Sequence, residues 1–129
     1  MSEQPLKEAA AVIFKAGIQA VDPGTCIRKN MHLADDQLQI QDTTIPLARI
    51  NKIYVVGMGK ASAAMAAEVE SLLGDRISDG LIITKYGHAK PLTRCRVLEA
   101  DHPVPDANGV KAAQTLIDLV STAGPEDVV

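Results

Sequence analysis

The chain has 129 residues, 47% of them apolar, which is the size of one domain and enough for a single core. Thirteen Lys and Arg against sixteen Asp and Glu leave a net charge of −3, with no basic run able to neutralise a row of phosphates, so generic nucleic-acid binding is excluded. The longest apolar stretch, 9–14, is far short of the ~20 residues of a membrane helix, and Glu3, Lys7 and Glu8 break any signal-peptide pattern; no membrane partner and a cytoplasmic location are expected.

Phe14, Tyr54 and Tyr86 are the only aromatic residues, so Ala, Val, Ile and Leu must build the interior, which suits thin layers of helix on sheet. Residues 1–24 read as a leading amphipathic helix, with Ser2 ahead of Pro5 and with Leu6, Ala10, Ile13, Gly17 and Ala20 at helical spacing. Asp22-Pro23-Gly24 ends it. Residues 26–50 then read as a small antiparallel flap. Ile27, Met31 and Leu33 mark one face, Leu38 and Ile40 a further piece, and polar turns fall at Asp35-Asp36-Gln37 and Gln41-Asp42-Thr43.

From residue 52 the pattern alternates. A buried strand at 52–56 leads through Gly57-Met58-Gly59 into an alanine-rich helix at 60–73 that Gly74 ends, and a second strand follows at 81–84. Together these span roughly the ~30 residues of a βαβ unit, so parallel pairing is expected. A third strand at 96–99 runs into Asp101-His102-Pro103-Val104-Pro105. Asp106 then caps a helix over 106–121 with Val110, Ala113, Ile117 and Val120 on its buried stripe. Gly124-Pro125 stops that helix, and Asp127-Val128-Val129 opens a further strand, so the chain reads as a truncated domain. The expected fold is α/β and Rossmann-like: a mostly parallel sheet over 52–129 with helices on both faces, plus the flap. Cys26 and Cys95 share no metal-ligand spacing and read as buried thiols.

Gly57-Met58-Gly59-Lys60-Ala61-Ser62 joins a strand to a helix, where two glycines let the backbone approach an anion at the positive helix end. It matches neither standard nucleotide pattern. A Walker loop needs glycine where Tyr54 stands and Ser or Thr where Ala61 stands. A dinucleotide fingerprint needs glycine where Ser62 stands and an acidic residue at the end of the next strand, which is Ile83-Thr84-Lys85. The plain alternative is a tight turn with a solvated lysine. If the three strands are parallel, Lys60 shares a rim with His88 in Lys85-Tyr86-Gly87-His88 and with His102. The nine or ten residues between the second and third strands are short for a parallel crossover, and an antiparallel third strand would carry His102 to the opposite rim. His32 reads as an ordinary surface histidine, and Arg28, Lys29, Arg94 and Arg96 as solvated charges.

Three blocks together resemble the glycerate 2-kinase family, whose members also carry the name hydroxypyruvate reductase. They are Val55-Val56-Gly57-Met58-Gly59-Lys60-Ala61-Ser62, then Gly80-Leu81-Ile82-Ile83-Thr84-Lys85-Tyr86-Gly87-His88, then Glu99-Ala100-Asp101-His102-Pro103-Val104-Pro105-Asp106. The resemblance covers the whole chain but only the first part of the family's longer sequence; its C-terminal domain is absent here. It implies transfer of the γ-phosphoryl of ATP, with Mg2+, to the 2-hydroxyl of D-glycerate, in a cleft between a Rossmann-like domain and a second one. It makes Lys60 the catalytic lysine; Gly57, Gly59, Ser62, His88 and His102 are the candidate substrate- or phosphate-binding residues by their place in the turn and on the rim, and no metal ligand is assigned. The expected partner is the small-molecule substrate glycerate, and a homodimer is compatible with the sequence. Rival readings are an NAD(P)-dependent hydroxypyruvate reductase, a non-catalytic sugar-phosphate-binding module, and a structural or assembly fragment.

Overall fold

A computed structural model describes residues 3–129. Ser2, the expected start signal of the first helix, lies outside them. Helix α1 is Glu3–Ala20, and none of its residues is buried. Leu6, Ile13, Phe14 and Ile18 are all more than half exposed, so the apolar stripe that its spacing shows has no packing partner among the described residues.

The flap begins later than the sequence suggests, because a second helix, α2 (Pro23–Asn30), occupies its first residues. Asp22-Pro23-Gly24 ends one helix and also starts the next. The Asp22 carboxylate accepts from the Thr25 N–H at 2.8 Å, and Pro23 takes the first helical position, where its missing N–H costs nothing. Cys26 therefore sits on a helix and is half-buried rather than buried.

The flap is β1 (Met31–Ala34), β2 (Gln37–Ile40) and β3 (Thr43–Pro46), antiparallel throughout. Both expected turns form, with positive φ at Asp35, Asp36 and Gln41. The flap is no loose appendage: Leu38 and Leu47 pack with Ile53, Leu73 and Ile77, closing the amino ends of the next two strands.

The second sheet has order β4 (Ile53–Met58), β5 (Ile77–Lys85) and β6 (Arg96–Ala100), all parallel. Val128 adds a parallel bridge to Ile53 on the outer side of β4, in line with the further strand expected there. Helix α3 (Ser62–Leu73) lies on one face, with Ala63 and Ala66 against Ile82 and Cys95. Helix α4 (Ala107–Val120) lies on the other, with Leu116 and Leu119 against Tyr54 and Leu81. Its buried stripe is thus Ala112, Leu116 and Leu119, one step around from the one the sequence suggests. Val110 and Ile117 are 68% and 53% exposed. Both stripes have helical spacing, and only packing against β4 and β5 separates them.

The third strand is parallel despite its short connection. The β5·β6 ladder runs only from Leu81↔Arg96 to Lys85↔Ala100, so the return path climbs four residues, about 13 Å. Ten residues reach up to roughly 33 Å, enough without a crossover helix. Two devices hold residues 86–95 in place. The Glu70 carboxylate of α3 accepts from the N–H groups of Thr93, Arg94 and Cys95 at 2.8, 2.8 and 2.7 Å and from the Thr93 hydroxyl at 3.0 Å. Gly80 leaves the room that the Cys95 thiol fills, and burial there, reinforced by Glu70, pushes the thiol up to about 12. A Cβ at position 80 would overlap Cys95 Sγ and stand 2.7 Å from the Val55 carbonyl oxygen. Gly80→Ala is therefore expected to cost roughly 1–3 kcal/mol, the usual range for overpacking, measured by urea unfolding; a loss below about 0.5 kcal/mol would mean the crossover is not tightly seated.

Of the charges read as solvated, Arg28, Arg94 and Arg96 are exposed but paired, with Glu68, Asp75 and Asp79 respectively. Such exposed pairs contribute little to stability. No described helix is long and apolar enough to cross a membrane.

Candidate active site

All three core strands point the same way, so their carboxyl ends, the α3 amino terminus and the β6–α4 loop meet on one rim. A cavity of about 150 Å³ opens there. Gly59 and Lys60 line it from the turn after β4, Thr84 and Lys85 from the end of β5, and Asp101 and His102 from the loop after β6.

The turn after β4 is fixed locally. Gly59 has φ +112°, a backbone region that side chains disfavour, and its N–H donates to the Ile83 carbonyl at 2.9 Å. The Ser62 hydroxyl lies 2.6 Å from the Gly59 carbonyl and 3.2 Å from that of Ile83, so this candidate is buried and turned toward the backbone. Gly57 lies outside the cavity. A Cβ there would come within 3.2 Å of Ile82 Cδ1 and 3.3 Å of Ser62 Cβ, so its role is close packing of helix on sheet. No side chain caps the first turn of α3; its Ser62 N–H donates to the Gly59 carbonyl at 3.2 Å, and the N–H groups that follow are the ones an incoming anion would meet.

The loops around the cavity brace one another. The Tyr86 hydroxyl donates to Asp106 Oδ2 at 2.7 Å and accepts from Asn108 at the same distance, while Asp106 Oδ1 caps α4 through the Gly109 N–H at 2.8 Å. The Tyr86 hydrogen bond, then that of Gly109, holds the Asp106 carboxyl below its ordinary range. Glu99 accepts from the Gly87 N–H at 2.7 Å, and Asp101 Oδ1 from the His102 N–H at 2.8 Å.

The rim thus brings Lys60, Gly59 and His102 together, as the parallel reading requires. His88 is exposed beyond the turn at Gly87 and does not line the cavity. His32 is exposed on the flap, far from the rim in the fold. Lys85 and Asp101 belong to the two loops that the sequence puts on this rim but are not among its candidate site residues, and neither is Thr84, although each ends or follows a parallel strand, where open α/β sheets place ligands. Thr84 is only 2% exposed, and its hydroxyl has no hydrogen-bond partner among the described residues. Nor do three or more His, Cys, Asp or Glu side chains converge among those residues as a metal would require.

The model of a family described as a domain of unknown function, DUF4147, matches residues 9–129. The chain belongs to that family. Among its curated relatives, an Agrobacterium vitis protein that carries a provisional hydroxypyruvate reductase name is 38% identical over 117 residues, 91% of this chain and 24% of that protein. A Pyrococcus horikoshii glycerate 2-kinase is 30% identical over 129 residues, all of this chain and 28% of the relative. This DUF4147 chain therefore spans about a quarter of the length of the curated relatives it matches. Two crystal structures share its fold at 30% identity. One, of a Pyrococcus horikoshii protein, has a TM-score of 0.82 over 95% of this chain and 27% of that one. The other, of a Thermotoga maritima glycerate kinase, has a TM-score of 0.74 over 96% and 27%.

Proposed function

We propose that this domain forms one wall of the active site of a glycerate 2-kinase, which moves the γ-phosphoryl group of ATP to the 2-hydroxyl of D-glycerate. The observation that carries this reading is Lys60 at an uncapped helix amino terminus, on the same cavity as Lys85, Asp101 and His102. Phosphoryl transfer needs little covalent chemistry from a protein; it needs positioned cations and dipoles that offset charge on the transferring group. Lys60 and the α3 amino terminus supply both. The names of the Pyrococcus and Thermotoga relatives point the same way. Nothing among the described residues assigns a ligand to the magnesium that accompanies ATP, and no step here runs through it.

The Agrobacterium relative's name raises hydride transfer as the second reading. Against an NAD site stands Lys85 at the end of β5, where such a site places an acidic residue on the ribose, although a cation there would suit the 2′-phosphate of NADP. The discriminating experiment gives the full-length protein ATP and D-glycerate in one assay, and NADH or NADPH with hydroxypyruvate in another. Phosphoglycerate formation without NADH or NADPH oxidation is expected, and the reverse result would replace the kinase by a reductase. The 129 residues alone should show no turnover, because a cavity open on one side neither aligns two substrates nor excludes water.

A further inference from the structure

Tyr86 stands in a block that the sequence singles out, yet it does not line the rim cavity. Its contacts give it a different task. The Tyr86 N–H donates to the Ala100 carbonyl at 3.2 Å, and the hydroxyl of the same residue donates to Asp106 Oδ2 at 2.7 Å. Ala100 ends β6 and Asp106 caps α4, so these two are the ends of the loop 101–105 that brings Asp101 and His102 to the cavity. One residue therefore spans that loop from end to end. The neighbour before it, Lys85, lines the same cavity from β5. Asp106 Oδ1 is anchored in turn to the Gly109 N–H of α4 at 2.8 Å, and Asn108 donates to the Tyr86 hydroxyl at 2.7 Å. Within the loop the His102 N–H donates to Asp101 Oδ1 at 2.8 Å, which ties the two cavity residues to each other. The Tyr86 side chain itself is exposed and belongs to no part of the core.

We propose that Tyr86 is a positioning residue: by holding both ends of the 101–105 loop, its hydroxyl and amide set Asp101 and His102 at a fixed place relative to Lys60 and Lys85. Tyr86 acts through that loop and not on a substrate. The inference rests on the kinase reading for the reaction it serves, whereas the brace itself is a matter of where the loop lies. Without the hydroxyl, Ala100 stays paired and the Asp106 end is released from β5, so the loop hinges from one side. A shift of ~1 Å in a reacting or orienting group can cost about 100-fold in rate, so a brace far from the chemistry still governs it.

The test is Tyr86→Phe in the full-length protein, which removes the hydroxyl and keeps the ring and the amide. For D-glycerate phosphorylation kcat is expected to fall about tenfold or more while the KM for ATP stays within about twofold. The melting temperature should hardly move, because both lost hydrogen bonds are exposed to water. Asp106→Ser keeps a cap for α4 but is too short to reach Tyr86, so it should reproduce the loss, and the double variant should be no slower than the slower single one. In the 15N-labelled full-length protein, Tyr86→Phe should displace the Asp101 and His102 amide resonances and leave those of β1–β3 in place. A kcat within about twofold of wild type, losses that multiply in the double variant, or a melting temperature that falls in step with activity would overturn the proposal. If the wild type transfers nothing to D-glycerate while the Asp101 and His102 amides still move in Tyr86→Phe, the brace stands and the kinase reading falls. Unmoved amides remove the brace whatever the reaction.

Discussion

Replacing Lys60 by alanine in the full-length protein is expected to lower kcat by roughly 10²–10³-fold, the scale for losing one preorganised charge-stabilising donor. The residue is exposed, follows a glycine held at φ +112°, and precedes α3 rather than packing beneath it. Its removal therefore leaves no cavity, and the melting temperature should stay nearly constant. The two quantities separate its roles. A kcat within threefold of wild type would refute the catalytic role, and a fall in stability would instead assign Lys60 to the fold. If the lysine acts on the transferring group and not in ground-state binding, kcat and kcat/KM should fall together.

The second large effect is on stability, at Glu70. Its carboxylate holds the return path between β5 and β6 through four hydrogen bonds, three of them to backbone N–H groups. Burial pushes the Glu70 carboxyl up, but the N–H donors of Thr93, Arg94 and Cys95 outweigh it and hold it down at about 2. Glu70→Ala leaves those donors without their acceptor and is expected to cost roughly 2–3 kcal/mol, given ~1–3 kcal/mol for each buried unsatisfied group and partial access to water here. The pH dependence follows in sign. A folded-state value below the unfolded one means that the unfolded chain binds more protons in between, so this stabilisation is complete above about pH 5 and is lost as pH falls toward 2. Urea unfolding across that range should show the decline in the wild type and a flatter profile in Glu70→Gln. A wild-type profile as flat as the variant's would show that the carboxylate does not hold the crossover.

Glu70 also shows why part of the fold was legible in the sequence and part was not. Runs such as Leu81-Ile82-Ile83 announce a strand because their apolar character alone decides their place. The parallel direction of β6 depends instead on a glutamate in α3 and a glycine in β5 meeting the segment around Cys95, contacts between residues far apart in sequence. The first half of β5 is not legible because Ser78-Asp79-Gly80 carries turn residues that pairing with β4 overrides. Asp22-Pro23-Gly24 reads as a terminator in the sequence, and the structure shows that the same residues that stop one helix also begin another.

At the site, Lys60 and His102 were legible because each sits beside a glycine or proline signal at a strand end. His88 has the same kind of signal, and only the direction of the turn at Gly87 separates it from the cavity. Thr84 is hidden inside a run that reads as strand, while Lys85 and Asp101 each stand beside a more conspicuous histidine signal in the same loop.

Helix α1 holds a consequence for how the molecule opens. An 18-residue helix with no buried side chain is held mainly by its own hydrogen bonds, and isolated helices only a little shorter, ~12–15 residues, are marginal in water. Its amides should trade hydrogen for deuterium through local fraying at a small fraction of the free energy needed to expose Leu81 or Ile82, which are 0% and 1% accessible. Two cooperative units are therefore expected: a sheet that unfolds with its flap and packed helices, and a leading helix that melts and reforms while the rest stays native.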